Sequence, residues 1–185
     1  NFFYCFGCHA SGDVFTFIMR HEGLDFPSTL RKLGDLVGVE VSPESSQERK
    51  RREEVEVLVR ANSVAQDFFV DQLWAESSKR ARRYLENRDI PLRFARDKQM
   101  GFGGSSAAFF QHLKTNEVSV ELAVKAGLLT DSQERCLFDG KIVFPIFSDG
   151  LLVGFGGRRI GDGAGPKYVN SRESMLFQKS KLLFG

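Results

Sequence analysis

The chain has 185 residues, 42% of them hydrophobic, with 26 Lys and Arg against 24 Asp and Glu and a formal net charge of +2. Its 18 Phe are too heavy an aromatic load for an unfolded segment, so a buried core is expected and disorder over most of the chain is excluded. No apolar run approaches the roughly 20 residues of a membrane-spanning helix, and no basic and then apolar opening marks a secretory signal. The chain opens at Asn1, inside an aromatic stretch, and reads as a fragment of a longer protein.

In chain order, Phe2-Phe3-Tyr4 is strand-like and leads into Cys5-x2-Cys8. Ser11-Gly12-Asp13 is a turn and helix-cap signal, and the spacing of Val14, Phe15, Phe17 and Ile18 predicts a short helix from Val14 to Glu22, stopped by Gly23. Pro27-Ser28 opens a second helix with Leu30, Leu33 and Val37 on one face and Gly38 at its end. These make a small lobe over residues 1–41. Ser42-Pro43-Glu44-Ser45-Ser46 signals a linker, followed by the charge run Glu48–Glu56, and the linker segment is set at 42–60. From Val55 the pattern turns amphipathic, with Leu58, Val59, Phe68, Phe69 and Leu73 at helical spacing. A long helix is expected there, its first turns solvated and its later turns packed on a second domain over 61–185.

Within that domain, Lys79–Asn87 reads as a helix closed before Pro91, and Leu92–Asp97 as a helix of one or two turns. Met100 to Gly104 reads as a short strand running into a loop. Lys141–Phe147 and Leu151–Phe155 are paired strands about the Ser148-Asp149-Gly150 hairpin signal. Gly156-Gly157-Arg158-Arg159 is expected to end the second of them, and Tyr168-Val169-Asn170 to add a further short strand. The fold class is therefore α+β.

Charge is segregated. Residues 77–102 carry 8 basic and 3 acidic side chains, and residues 141–185 carry 7 and 3, inside an otherwise acidic chain. Such blocks suit a polyanion such as nucleic acid, and equally suit solvated helix faces. Three cysteines make no disulfide framework, which suits a reducing, cytoplasmic compartment. Cys136, beside Leu137 and Phe138, reads as a small core residue.

Cys5 and Cys8 have the spacing of a zinc knuckle, in which two thiolates from a tight turn take adjacent corners of a tetrahedron. That makes half a zinc site, since His9 is too close to Cys8 to share its metal and His21 lies on a helix farther on. A redox dithiol and a pair of inert thiols are the alternatives. Gly154-Phe155-Gly156-Gly157 lacks the ending of a phosphate loop, so a strand end needing small residues is the plainer reading. Its company raises the other one: Arg158, Arg159, Lys167, Lys179 and Lys181 supply cations, Tyr168 a stacking surface and Asn170 an amide, as a single-strand or nucleotide track would need. No DxD occurs, and no nucleophile elbow surrounds a histidine. No complete active site is therefore expected within the chain.

Taken together, these motifs carry a resemblance. Tyr4-Cys5-Phe6-Gly7-Cys8-His9-Ala10-Ser11-Gly12-Asp13-Val14-Phe15, continuing to His21-Glu22-Gly23-Leu24-Asp25-Phe26, resembles the second half of the zinc-binding domain of bacterial DnaG-type DNA primases. Tyr84-Leu85-x2-Arg88, Val143-Phe144-Pro145-Ile146, Val153-Gly154-Phe155-Gly156-Gly157-Arg158, Pro166-Lys167-Tyr168-Val169-Asn170-Ser171 and Leu176-Phe177-x-Lys179 resemble the N-terminal subdomain of the primase polymerase core. The fold the resemblance implies is a zinc-ribbon remnant with helices, a linker helix and a mixed α/β subdomain. The function it implies is a DNA-directed RNA polymerase making short primers for DNA replication; a non-catalytic single-strand DNA-binding module is the rival. By matching positions, Arg88, Arg158, Lys167, Tyr168 and Lys179 would contact nucleic acid and nucleotide, with Arg159 and Asn170 as neighbours. The implied partners are single-stranded DNA template, the RNA primer:DNA hybrid, ribonucleoside triphosphates and, through a separate C-terminal domain, the replicative helicase; no membrane is implied. The family's first zinc pair, Cys-x2-His, is expected upstream of Asn1, and its magnesium-binding TOPRIM carboxylates downstream of Gly185. Residues 1–185 alone are thus expected to be inactive and to hold zinc weakly or not at all. Leu137 departs from a position where relatives often carry a basic residue.

Overall fold

The computed structural model describes residues 2–39, 45–161 and 166–181. The Ser42-Pro43-Glu44 part of the linker signal lies outside the described residues. The chain divides into two compact units, 1–49 and 50–185.

The first unit opens with a two-stranded antiparallel hairpin, β1 (Phe3–Tyr4) and β2 (Ser11–Gly12). Helices α1 (Val14–Glu22) and α2 (Phe26–Val37) follow, each set by local chemistry at both ends. The Asp13 carboxylate accepts the Thr16 amide at 2.8 Å, and the Asp25 carboxylate accepts the Ser28 amide at 2.9 Å, satisfying donors that a helix start leaves unpaired. Gly23 and Gly38 end the two helices at φ of 67° and 70°, where a side chain would be strained. Lys32 on α2 pairs with Glu22 of α1, and Phe15 meets Phe26 at 5.6 Å between ring centres.

Both capping carboxyls sit below their ordinary value of 3.8, Asp13 through bonds from the Thr16 amide and hydroxyl, Asp25 through the Ser28 hydroxyl and amide. A carboxyl that binds its proton more weakly when folded contributes stability that is complete above the unfolded value and lost as pH falls through the folded one. The Thr16 and Ser28 amide resonances should therefore hold steady down to about pH 4 and move together below it. Amides indifferent to acid would remove the caps from this account.

In the second unit, α3 (Ser46–Trp74) begins before the boundary and runs unbroken through it. Its first turns are exposed, and from Leu58 onward Ala61, Ala65, Phe68, Phe69 and Leu73 are buried. After a 3-10 turn come α4 (Lys79–Glu86), α5 (Leu92–Asp97), β3 (Gly101–Phe102), α6 (Ser106–Thr115) and α7 (Val120–Lys125). Strands β4 (Lys141–Ser148), β5 (Leu151–Arg159) and β6 (Tyr168–Asn170) complete an antiparallel sheet in the order β3-β4-β5-β6. The expected α+β class is the one observed.

Strand β4 sends successive side chains to opposite faces, and each face carries its own core. Val143 joins Phe68, Phe69, Phe109, Phe138 and Phe155 in the larger one. Ile142 joins Leu73, Ala81, Leu85, Ala95 and Met100 in the smaller, with Tyr84, Phe102 and Phe144 packed against it. Cys136 is buried in the larger core, and burial pushes its thiol up to about 12, so it is an inert packing residue.

One expectation needs correcting. Gly156-Gly157-Arg158-Arg159 does not end β5, which continues in register with β4 to the pair Lys141 and Arg159. A Cβ at Gly156 would overlap the Phe144 ring, and one at Gly157 would press on Phe138 and Val169. The glycines make room for rings on both faces of the sheet, and the strand runs on because nothing in that packing breaks it.

Candidate nucleic-acid interface

The extra length of β5 is what builds the site. It carries Arg158 to the face covered by α4 and sets it opposite Tyr168 on β6. The Arg158 Nε–H donates to the Tyr84 hydroxyl oxygen at 2.7 Å, and its guanidinium carbon lies 4.8 Å from the centre of the Tyr168 ring. Arg88, just beyond α4, places its guanidinium carbon 5.2 Å from the centre of the Tyr84 ring. Burial alone would raise the Tyr84 phenol; hydrogen bonds and charge from Arg158 and then Arg88 outweigh it and hold the group below its usual value. The two basic blocks of the sequence, 77–102 and 141–185, thus meet at one tyrosine.

A second group lies along β6. Tyr168, Val169, Asn170, Arg172, Lys179 and Leu137 line a cleft of about 370 Å³. Tyr168 is 54% exposed, which leaves a ring face available to a planar ligand. Lys179 is exposed, its backbone N–H donating to the Glu173 carboxylate at 3.1 Å. Arg172 is tied to the fold by an ion pair with Asp131 and a bond to the Leu129 carbonyl. Lys167 is exposed, and its carbonyl accepts the Arg159 amide at 3.0 Å, tying it to the end of β5. The structure therefore brings Arg88 and Arg158 together at Tyr84, Arg158 to Tyr168, and Tyr168 to Asn170 and Lys179. Lys167 and Arg159 adjoin this set through the backbone.

Three contributors lie outside the site residues expected from sequence. Tyr84 enters it only as part of a motif, although its hydroxyl is the anchor; its place four residues before Arg88 was the available signal. Arg172 gives the cleft wall. Lys141, paired across strands with Arg159, is half-buried and held below the usual lysine value chiefly by that burial.

In the first unit, Cys5 and Cys8 are exposed at the hairpin turn, which is tied by the Cys5 amide to the Ala10 carbonyl and the His9 amide to the Cys5 carbonyl, both at 2.8 Å. Backbone N–H groups of Cys8 and then Gly7, with the Cys8 thiol, hold the Cys5 thiol below its ordinary value. Amides aimed at a cysteine sulfur favour the thiolate, the form a metal needs, so the pair fits two corners of a zinc tetrahedron. Neither histidine joins them: His9 Nδ1 is 2.7 Å from the Tyr4 hydroxyl, and His21 stacks on Phe17. Among the described residues no three metal-ligating side chains converge.

Residues 68–185 match the family model "DNA primase catalytic core, N-terminal domain", and residues 1–49 match the CHC2 zinc finger. The chain belongs to the bacterial DnaG-type DNA primase family. A DNA primase of Rickettsia bellii is 37% identical over 191 residues, covering all of this chain and 31% of its own length. The chain thus spans about a third of that relative. Among solved structures, the Aquifex aeolicus primase (zinc-binding and RNA polymerase domains) matches 97% of this chain and 43% of its own, with TM-score 0.59 and 29% identity. The RNA polymerase domain of Mycobacterium tuberculosis primase, in complex with a double-stranded DNA oligomer with a 6-nucleotide overhang, matches 68% of this chain and 41% of its own, at TM-score 0.61 and 31% identity.

Proposed function

We propose that this chain is part of an enzyme that synthesises short RNA primers on single-stranded DNA, its 61–185 domain forming the N-terminal part of the polymerase core. The observation that carries the reading is the Arg158 guanidinium fixed between Tyr84 and Tyr168 with Arg88 alongside. Two cations and an open ring face at a sheet edge suit a phosphate backbone and its bases. The RNA polymerase domain of the Mycobacterium tuberculosis primase, which this chain matches in part, is in complex with DNA, and that supports a nucleic-acid reading.

In this reading Arg88, Arg158, Arg159 and Lys167 hold the phosphates of template or primer:template hybrid. Tyr168, Asn170 and Lys179 form the wall against which a base or an incoming ribonucleotide lies. Residues 1–41 are the C-terminal part of a zinc-binding domain that engages template, 42–60 the linker, and Cys5 and Cys8 two of the zinc ligands. Zinc there supplies structure only. Magnesium belongs with the carboxylates of a TOPRIM domain and the helicase with a further C-terminal domain, in the cytoplasm where replication takes place. No bond-making step is assigned to residues 1–185.

The test is primer synthesis by the complete gene product on single-stranded templates with ribonucleotides and magnesium. Template-dependent RNA that is lost on Arg158→Ala is the expected result. Tight DNA binding with no RNA product from the unaltered protein would leave a binding module and end the enzymatic reading.

A further inference from the structure

An arginine held in place by a carboxylate has its field offset by that neighbour. Arg158 is held differently. Its Nε–H goes to the neutral oxygen of Tyr84, and its plane is backed by the Tyr168 ring. Among the described residues, no carboxylate lies at ion-pair distance from Arg158 or Arg88. Using Nε as the anchor fixes the rotation of the whole guanidinium plane and with it the direction of the Nη pair, the fork that meets a phosphate. Tyr84 itself is steady: it stands on α4 and packs against the smaller core beside Leu85 and Ala81.

We infer that Tyr84 is a positioning residue, whose hydroxyl presets Arg158 for a phosphate of bound single-stranded DNA while leaving its positive charge uncancelled. The inference rests on the nucleic-acid reading above and adds to it the group that orders the contact. A phenol does this where a carboxylate would repel the ligand, and a phenylalanine would leave the arginine to rotate. Preordering matters because an arginine side chain otherwise loses its rotamer freedom at the moment of binding.

The experiment is a double-mutant cycle on the complete gene product, read by fluorescence anisotropy with labelled oligothymidylate at low salt. Tyr84→Phe keeps the ring in its core and removes one oxygen. It should weaken binding about tenfold while leaving the thermal unfolding midpoint where it was. In an Arg158→Ala background the same change should lose most of its effect, because only the weaker contact of the hydroxyl with Arg88 remains. The Arg158 Nε–H resonance should exchange slowly in the parent protein and rapidly in Tyr84→Phe.

If Arg158→Ala weakens binding and Tyr84→Phe does not, this inference fails and the nucleic-acid reading stands. Equal weakening by Tyr84→Phe with and without Arg158 would make the hydroxyl a fold contact and would overturn it too. Binding indifferent to Arg158→Ala brings down both readings.

Discussion

Replacing Phe69 by alanine should cost the second unit about 3–5 kcal/mol of stability, the upper range for core truncations. Phe69 is fully buried where α3, α6, β5 and the turn at Phe138 meet. Its ring stacks on Phe109 of α6 at 5.5 Å and meets Phe138 and Phe155 edge-on at 5.6 and 5.2 Å, with Phe68 beside it on its own helix. Aromatic pairs add about 0.5–1.5 kcal/mol beyond burial, and truncation strips several at once. Collapse into the void is resisted because Phe109, Phe138 and Phe155 come from separate parts of the chain, each tied by its own backbone bonds. Urea denaturation read by helical circular dichroism measures the loss. A cost below about 1.5 kcal/mol would mean that the rings close over the gap and that Phe69 is not the keystone it is taken for.

The largest binding effect should come from removing two phosphate cations together. Arg158→Ala with Lys167→Ala should weaken binding of single-stranded DNA about a hundredfold at low salt. It should also flatten the slope of log K against log salt by about 1.4, the contribution of two phosphates on a single strand. The slope is the sharper readout. A variant that merely misfolds loses affinity without a defined change in counterion release, whereas a lost phosphate contact changes it by a set amount. An unchanged slope would place these two side chains away from the strand.

What could be seen in the sequence was what is settled over a few residues. Asp13 with Gly23, and Asp25-Pro27 with Gly38, bracket helices whose limits follow from capping chemistry alone. The hairpin around Asp149-Gly150 is equally local, both residues taking positive φ. Helices α6 and α7 carry Ser105 and Ser119 as caps but no sequence period that marks them, because their short apolar patterns sit among loops fixed by distant partners. One is the Ser106 hydroxyl, which donates to Asp139 at 2.5 Å and accepts the Cys136 amide at 3.0 Å. The site divides the same way. Its cations could be named from composition and motif, but the bond that orients Arg158 joins residues 74 positions apart. No period or spacing encodes it.

The strand pairing also gives Pro145 a role. Ser171 bonds both the amide and the carbonyl of Phe155, so those groups point towards β6 and away from β4. Pro145, the residue facing Phe155, then directs its own backbone outward along the margin of β4 that β3 leaves uncovered beyond Val143. A proline there has no N–H to offer a passing strand. The proline of Val143-Phe144-Pro145-Ile146 thus withholds a hydrogen-bond donor from any strand that would pair along that margin.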